Sequence, residues 1–280
     1  MKHTILAAAL ACALTAGPAT AYTSYLLPEE FFTVEDEITA QGAFAQQFFT
    51  PAVATAGDNV YILNPTGTRS TPDRLEVQPT IMRLTTDLPR GGTYRLSTGE
   101  QIGPVSTLVG DGGGWRPMVD GEVLEEGTPV TTLQAVTLAE AYVTRGTPTR
   151  TAIDDNLTGR LSIRPVTHPN QVLAAQGMDV QVLFDGAPLP NLAVVLYTAG
   201  EADTQVDRYS VTDAQGNARF TFDRPGQYLI AARHRAPAPE GSEAEVRSYT
   251  TTLTVEALAT LPRNVEIRTP GERRSRRRDR

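Results

Sequence analysis

Period-two alternation broken by glycine and proline turns is the feature that most restricts what this chain can become. Between Ala218 and Arg235 the sequence reads ARFTFDRPGQYLIAARHR. Ala218, Phe220 and Phe222 fall on one side of an extended chain, and Arg219, Thr221 and Asp223 on the other. Arg224-Pro225-Gly226 is a turn, and Gln227 to Arg235 returns as a second strand. Upstream, Asp213 to Asn217 predicts a hairpin loop with Gly216 at a positive φ. The pattern recurs nearby. Met178 to Phe184 alternates, Asp185-Gly186 turns, and Leu192 to Thr198 is apolar on both faces, as a covered central strand must be. Arg208 to Thr212 and Tyr249 to Glu256 continue the pattern, and about seven strands fit between Leu157 and Leu258, enough for one sandwich of the immunoglobulin-like or transthyretin-like kind.

The first half is less regular. Asn59 to Asn64, Val77 to Leu84, Thr93 to Leu96 and Val130 to Val143 are its strand candidates. Leu133, Val136, Ala139 and Val143 also fit a helical spacing, but the threonine and valine content favours a strand. The polar run 146–156 marks a boundary. The expected fold is therefore all-β: two β-sandwich-type domains, an N-terminal one over 22–150 and a C-terminal one over 157–258, followed by an arginine-rich disordered tail over 259–280.

The two ends differ in chemistry. Residues 1–21, MKHTILAAALACALTAGPATA, have a basic start, a short apolar run and a small-x-small end, the layout of a cleaved signal peptide rather than a membrane span. Cleavage after Ala21 would deliver a periplasmic protein with no cysteine, because the one cysteine, Cys12, lies in the leader. Residues 263–280 hold eight arginines against three acids, a net of +5, so with Lys2 at +1 the body 22–262 carries −13 of the chain's −7. Such a tail has too few apolar residues to order itself. It reads either as a solubilising extension or as an attachment to an anionic envelope surface. Export argues against nucleic acid as a partner, and no stretch after residue 21 is long and apolar enough for a transmembrane helix.

No catalytic constellation is visible. There is no cysteine nucleophile after residue 21 and no G-x-S-x-G elbow. Acid pairs such as Glu29-Glu30, Glu125-Glu126 and Asp154-Asp155 place neighbours on opposite faces of a strand and read as solvated surface. Asp111 to Gly114 lacks the Gly-Lys-Ser/Thr ending of a phosphate loop. Trp115, the one tryptophan, reads as packing or as a stacking platform for a ligand. That leaves the two histidines outside the leader, His168 in VTHPN and His234 at a strand end. Imidazole suits nickel, copper, zinc or iron, yet neither residue has the spacing of a metal motif, and each alone reads first as a hydrogen-bonded structural group.

The strings AYVTRGTP, LSIRPVTHPNQVLAAQGMDVQVLFDGAPLPNLAVVLY, VTDAQGNARFTFDRPGQYLIAARH and SYTTTLTVE, in that order, resemble the C-terminal half of the exported DUF4198 family. The same pieces are similar to carboxypeptidase-regulatory-like β-domains. Tyr25-Leu26-Leu27-Pro28 and GTYRL at 92–96 extend the resemblance into the first half. It implies a periplasmic, non-enzymatic protein accessory to nickel or cobalt uptake, with a metal transporter or outer-membrane receptor as partner. His168 and His234 would then be the metal ligands, since Tyr22 stands where family members commonly begin the mature chain with a histidine. The alternative is a structural or interaction β-sandwich module of the cell envelope with no metal role.

Overall fold

The computed structural model describes residues 22–154 and 159–262. The leader-like residues 1–21 and the arginine-rich residues 263–280, with the expectations placed on them, lie outside the described residues.

The chain opens with β1 (Thr23–Pro28), the two-residue β2 (Phe32–Thr33) and β3 (Glu37–Ala45). Short strands β4 (Val53–Ala54), β5 (Tyr61–Leu63) and β6 (Arg69–Ser70) follow, then β7 (Arg74–Val77) and β8 (Met82–Asp87). The single strand expected over Val77 to Leu84 is thus two, because Pro79 starts a tight turn in which the Gln78 amide donates to the Ile81 carbonyl. Next come β9 (Gly92–Ser97), β10 (Gln101–Asp111), β11 (Gly114–Pro117) and the long β12 (Val130–Arg145). A four-residue helix, α1 (Thr151–Asp154), buries Ala152 and Ile153 where the sequence predicts a polar boundary.

The second half contains β13 (Leu161–Pro165), β14 (Met178–Phe184), β15 (Ala187–Pro188), β16 (Ala193–Thr198), β17 (Tyr209–Val211), β18 (Asn217–Phe220), β19 (Gly226–Pro237) and β20 (Val246–Ala257). The turn signals act as the sequence predicts. Asp185 and Gly186 both take positive φ, 51° and 77°. Gly216 sits at φ 75°, where an added Cβ would lie 2.5 Å from the Val182 carbonyl oxygen.

One large sheet runs in the order β17-β16-β19-β20-β12-β9-β5-β6, so it crosses the expected boundary at 150–157. The crossing is a parallel pairing of β12 with β20, from Leu133 opposite Val246 to Ala141 opposite Thr254. Both faces of this sheet are covered. On one face the sheet of β13, β14, β15 and β18 closes a core around Val180, Val182, Leu196, Phe220, Ile230 and Leu253. On the other, the sheet of β1, β3, β4, β7 and β8 packs against it through two clusters. Leu26, Leu84, Leu96 and Ala141 lie in one, and Tyr25, Phe48, Tyr197 and Leu229 in the other. The result is an all-β body of three layers at its middle, two sandwiches sharing a central sheet.

This arrangement explains the alternation within β19. Tyr228, Ile230 and Ala232 face the first core, while Leu229 and Ala231 face the third layer. It also explains β12, whose Val136 and Tyr142 point to one core and whose Ala139, Ala141 and Val143 point to the other. A strand covered on both sides can show a helix-like spacing by coincidence.

Candidate functional site

His168 sits in the loop after β13 and is buried. Its Nδ1 accepts the Asn170 amide at 3.2 Å, so Nε2 carries the proton of the neutral ring. Nε2 lies 3.1 Å from the Thr149 carbonyl and 3.1 Å from the Thr93 hydroxyl. Both nitrogens are therefore engaged with protein. Burial pushes the His168 pKa down, outweighing the Thr149 carbonyl that favours the charged ring. Asn170 continues the network to the Thr144 hydroxyl and the Tyr142 carbonyl, tying this loop to β12.

His234 is half-buried on β19, opposite Tyr249 of β20. Its ring meets the edge of Phe184 with centroids 4.7 Å apart. Asp185 is the carboxylate that favours its charged form, but burial dominates and lowers its pKa. Asp185 is itself gripped by Arg160 through Nε and Nη2, while the Arg160 Nη1 donates to the Tyr249 hydroxyl at 2.7 Å.

The two histidines are not brought together. His168 sits beside Thr93, whose partner on β12 is Thr144, whereas Tyr249 opposite His234 is level with Val136. Eight residues of one strand separate those levels, about 26 Å at 3.3 Å per residue. Among the described residues no group of three or more His, Cys, Asp or Glu side chains is placed to hold a metal ion.

Two buried polar networks escaped the sequence reading. Arg95 on β9 and Glu140 on β12 face each other at 3.8 Å, with side chains 3% and 5% exposed. Burial opposes the Arg95 charge, yet Glu140 holds its pKa above the ordinary value. The second network joins the chain's two halves. Thr23 donates to Asp203 at 2.7 Å, Arg233 donates to Thr23 at 2.8 Å and to the Tyr197 hydroxyl at 3.1 Å, and Tyr197 donates to the Asp203 carbonyl at 2.8 Å. In front of Asp203 lies a cleft of about 560 Å³ between Gln46, Gln47 and Thr50 of one loop and Ala202 and Thr204 of another. No single residue type in these networks forms a motif, so only tertiary structure reveals them.

The segment 101–130 behaves differently from the rest. β10 pairs with the start of β12 from Gln101 to Val109, then forms a hairpin with β11 around Gly112 and Gly113. The glycine run read against a phosphate loop is this hairpin tip, and Trp115 on β11 is half-buried opposite Gly110. No residue from 101 to 135 belongs to a buried apolar cluster. Ile102, Val119, Val123 and Val130 are 56%, 64%, 94% and 47% exposed. The ribbon carries five acidic residues and one arginine, Arg116, which is paired with Glu122 and holds that carboxyl down at about 2.

Among the described residues no helix is long and apolar enough to cross a membrane. No curated protein matches the chain. One solved structure similar to it is the D0-D1 domain of intimin, at 13% identity and a TM-score of 0.23, covering 83% of this chain and 97% of that one. That likeness is too low to carry an argument about fold or function. A family model does match, over residues 19–236, and its description is a domain of unknown function, DUF4198. With most of its length inside that match, the chain belongs to the DUF4198 family.

Proposed function

We propose that this protein is a non-catalytic interaction module of the cell envelope: a braced β body that presents the ribbon 101–130 to a macromolecular partner. The leader-like residues 1–21 would deliver it to the periplasm. The observation that carries this reading is the ribbon itself. It occupies some thirty residues, buries one apolar side chain, Val109, adds none to the four apolar clusters, and leaves Val119 and Val123 in water. Exposed apolar side chains gathered on one ribbon and flanked by acids support its reading as a contact surface.

A photo-reactive residue placed at Val123 in the full chain, expressed in cells, tests this. One discrete cross-linked species is expected from position 123 and none from Asp223, whose side chain is also largely exposed, on the body. Absence of any adduct at 123 would remove the ribbon from the account. Accessory action in nickel or cobalt uptake is the competing reading, and it rests on the family resemblance together with His168 and His234.

A further inference from the structure

We propose that the cleft in front of Asp203 binds a short neutral saccharide, read by side chains from two loops that belong to different halves of the chain. The cleft shares no lining residue with the ribbon 101–130, so this site is independent of the ribbon's role.

The cleft lies between the loop that follows β3 and the loop that joins β16 to β17. Its volume of about 560 Å³ falls within the range of small-molecule sites. The ground beneath it is packed. Phe48 stacks against Tyr197 with ring centroids 4.8 Å apart, and Phe49 meets the edge of Tyr25 at 5.2 Å. Backbone bonds tie the two loops to each other. The Asp203 amide donates to the Gln46 carbonyl at 2.8 Å, and the Phe48 amide to the Glu201 carbonyl at 3.0 Å. A cleft held in this way is formed before any ligand arrives, which lowers the ordering cost of binding.

Asp203 is the residue that points to a ligand. It is only 6% exposed, yet just one of its carboxylate oxygens is engaged. Oδ2 accepts from the Thr23 hydroxyl at 2.7 Å and faces Arg233 at 3.8 Å. Among the described residues no donor reaches Oδ1, and Asp203 lines the cleft. A nearly buried acceptor without a protein donor is completed by a donor from outside.

The remaining lining fixes the class of that donor. Gln46, Gln47, Thr50 and Thr204 are exposed, uncharged, and able both to donate and to accept. Arg233 offsets the charge of Asp203, so the cleft does not select a cation. Pro51, Ala52 and Ala202 supply an apolar wall. A sugar ring matches all of this, with hydroxyls that donate and accept around its rim and a C–H face to lie on apolar carbon. A peptide matches less well, because it docks mainly through main-chain pairing. The loop amides here are already used within the protein. Thr50 donates to the Gln47 carbonyl at 2.8 Å, Ala52 to the Phe44 carbonyl at 3.0 Å, and Ala202 to the Gln205 side chain at 2.9 Å.

Nuclear magnetic resonance titration of the full chain provides the test, with N,N′-diacetylchitobiose, maltose, cellobiose and the tripeptide Ala-Ala-Ala added in turn. At least one disaccharide should bind with a dissociation constant of about 1 mM or tighter and shift the side-chain amide signals of Gln46 and Gln47. Which disaccharide binds separates an acetamido-bearing glycan from a plain glucan. Asp203→Asn still accepts from Thr23 but turns a donor into the cleft, and should weaken binding at least tenfold. Gln46→Ala and Gln47→Ala leave the Asp203 contacts intact and should each weaken it about threefold or more, since a neutral hydrogen bond is lost. Gln78→Ala, on the exposed turn before β8, should leave it unchanged. No disaccharide binding, affinity unchanged in all three cleft variants, or binding of the tripeptide alone overturns the proposal. None of these results bears on cross-linking at Val123, so the ribbon and the cleft fail separately.

Discussion

Thr23 and Asp203, separated by 180 positions in sequence, share a 2.7 Å hydrogen bond that fixes the first strand of the body to a loop of its second half. Both residues are buried, and Arg233 stands 3.8 Å from the same carboxylate oxygen. Asp203→Ala should therefore cost about 1–3 kcal/mol, the usual loss when a buried partner is left unsatisfied. Thr23→Val should cost less, because Arg233 still faces the carboxylate. Urea midpoints at pH 7 check both, and an Asp203→Ala midpoint equal to that of the native chain would show that the network is not holding the halves together.

Glu140→Gln is expected to be more damaging. It removes the negative partner of an Arg95 side chain that is only 3% exposed. Breaking a buried pair from one side costs about 3–5 kcal/mol, since the remaining charge stays in a poor solvent. Replacing both residues by apolar ones of similar size should recover much of the loss, and the thermal midpoints of the single and double variants measure the difference.

Stability should fall with acid through the histidines before the carboxylates matter. Burial lowers the pKa of both His168 and His234 below 6.5 in the folded protein. Above pH 6.5 each is neutral folded or unfolded, and stability is full. As pH drops from 6.5 toward the depressed folded values, the unfolded chain takes up protons first and stability is lost. The carboxylates held low, Asp73, Asp185, Asp213, Glu122 and Glu201, act only near and below their ordinary values, 3.8 for aspartate and 4.5 for glutamate. A His168→Asn, His234→Asn chain should show a shallower decline between pH 6.5 and 5. An identical decline would place the titration elsewhere.

Calorimetric titration with Ni²⁺ and Co²⁺ is expected to give no binding tighter than about 100 μM, roughly −5.5 kcal/mol. His168 has both ring nitrogens bonded to protein, and His234 is about 26 Å away along the strand. Tight binding lost in His168→Ala or His234→Ala would favour the metal-uptake reading over the interaction module.

The second half of the fold was legible because its turns and its alternation agree. Phe220 and Phe222 are buried and Thr221 is exposed, as the period-two reading requires, and Gly216 takes the positive φ assigned to it. In the first half the signals are weaker. β3 buries Ile38, Ala40, Gly42, Ala43 and Ala45, residues that, the isoleucine apart, are too small to stand out from a loop. β10 contains Gly103 and Pro104, which read as breakers but lie at an irregularity between Ile102 and Val105. The candidate site was less legible still. Sequence could flag two histidines and one tryptophan, but whether His168 points into solvent or into a hydrogen-bonded loop is decided by Thr93, Thr149 and Asn170 together. The ribbon's isolation from the core is likewise a property of packing, and no local pattern encodes it.

The parallel partnership of β12 with β20 also governs when the molecule can finish folding. A chain emerging from its amino end presents β12 more than a hundred residues before Val246 to Ala257 arrive to occupy its open edge. Until then the central sheet is split in two, and the carboxyl-terminal strand acts as the closing stave of the body. Closing so long a loop is slow. The newly made protein therefore spends its synthesis as an incomplete sheet, shut only when its last strand is in place.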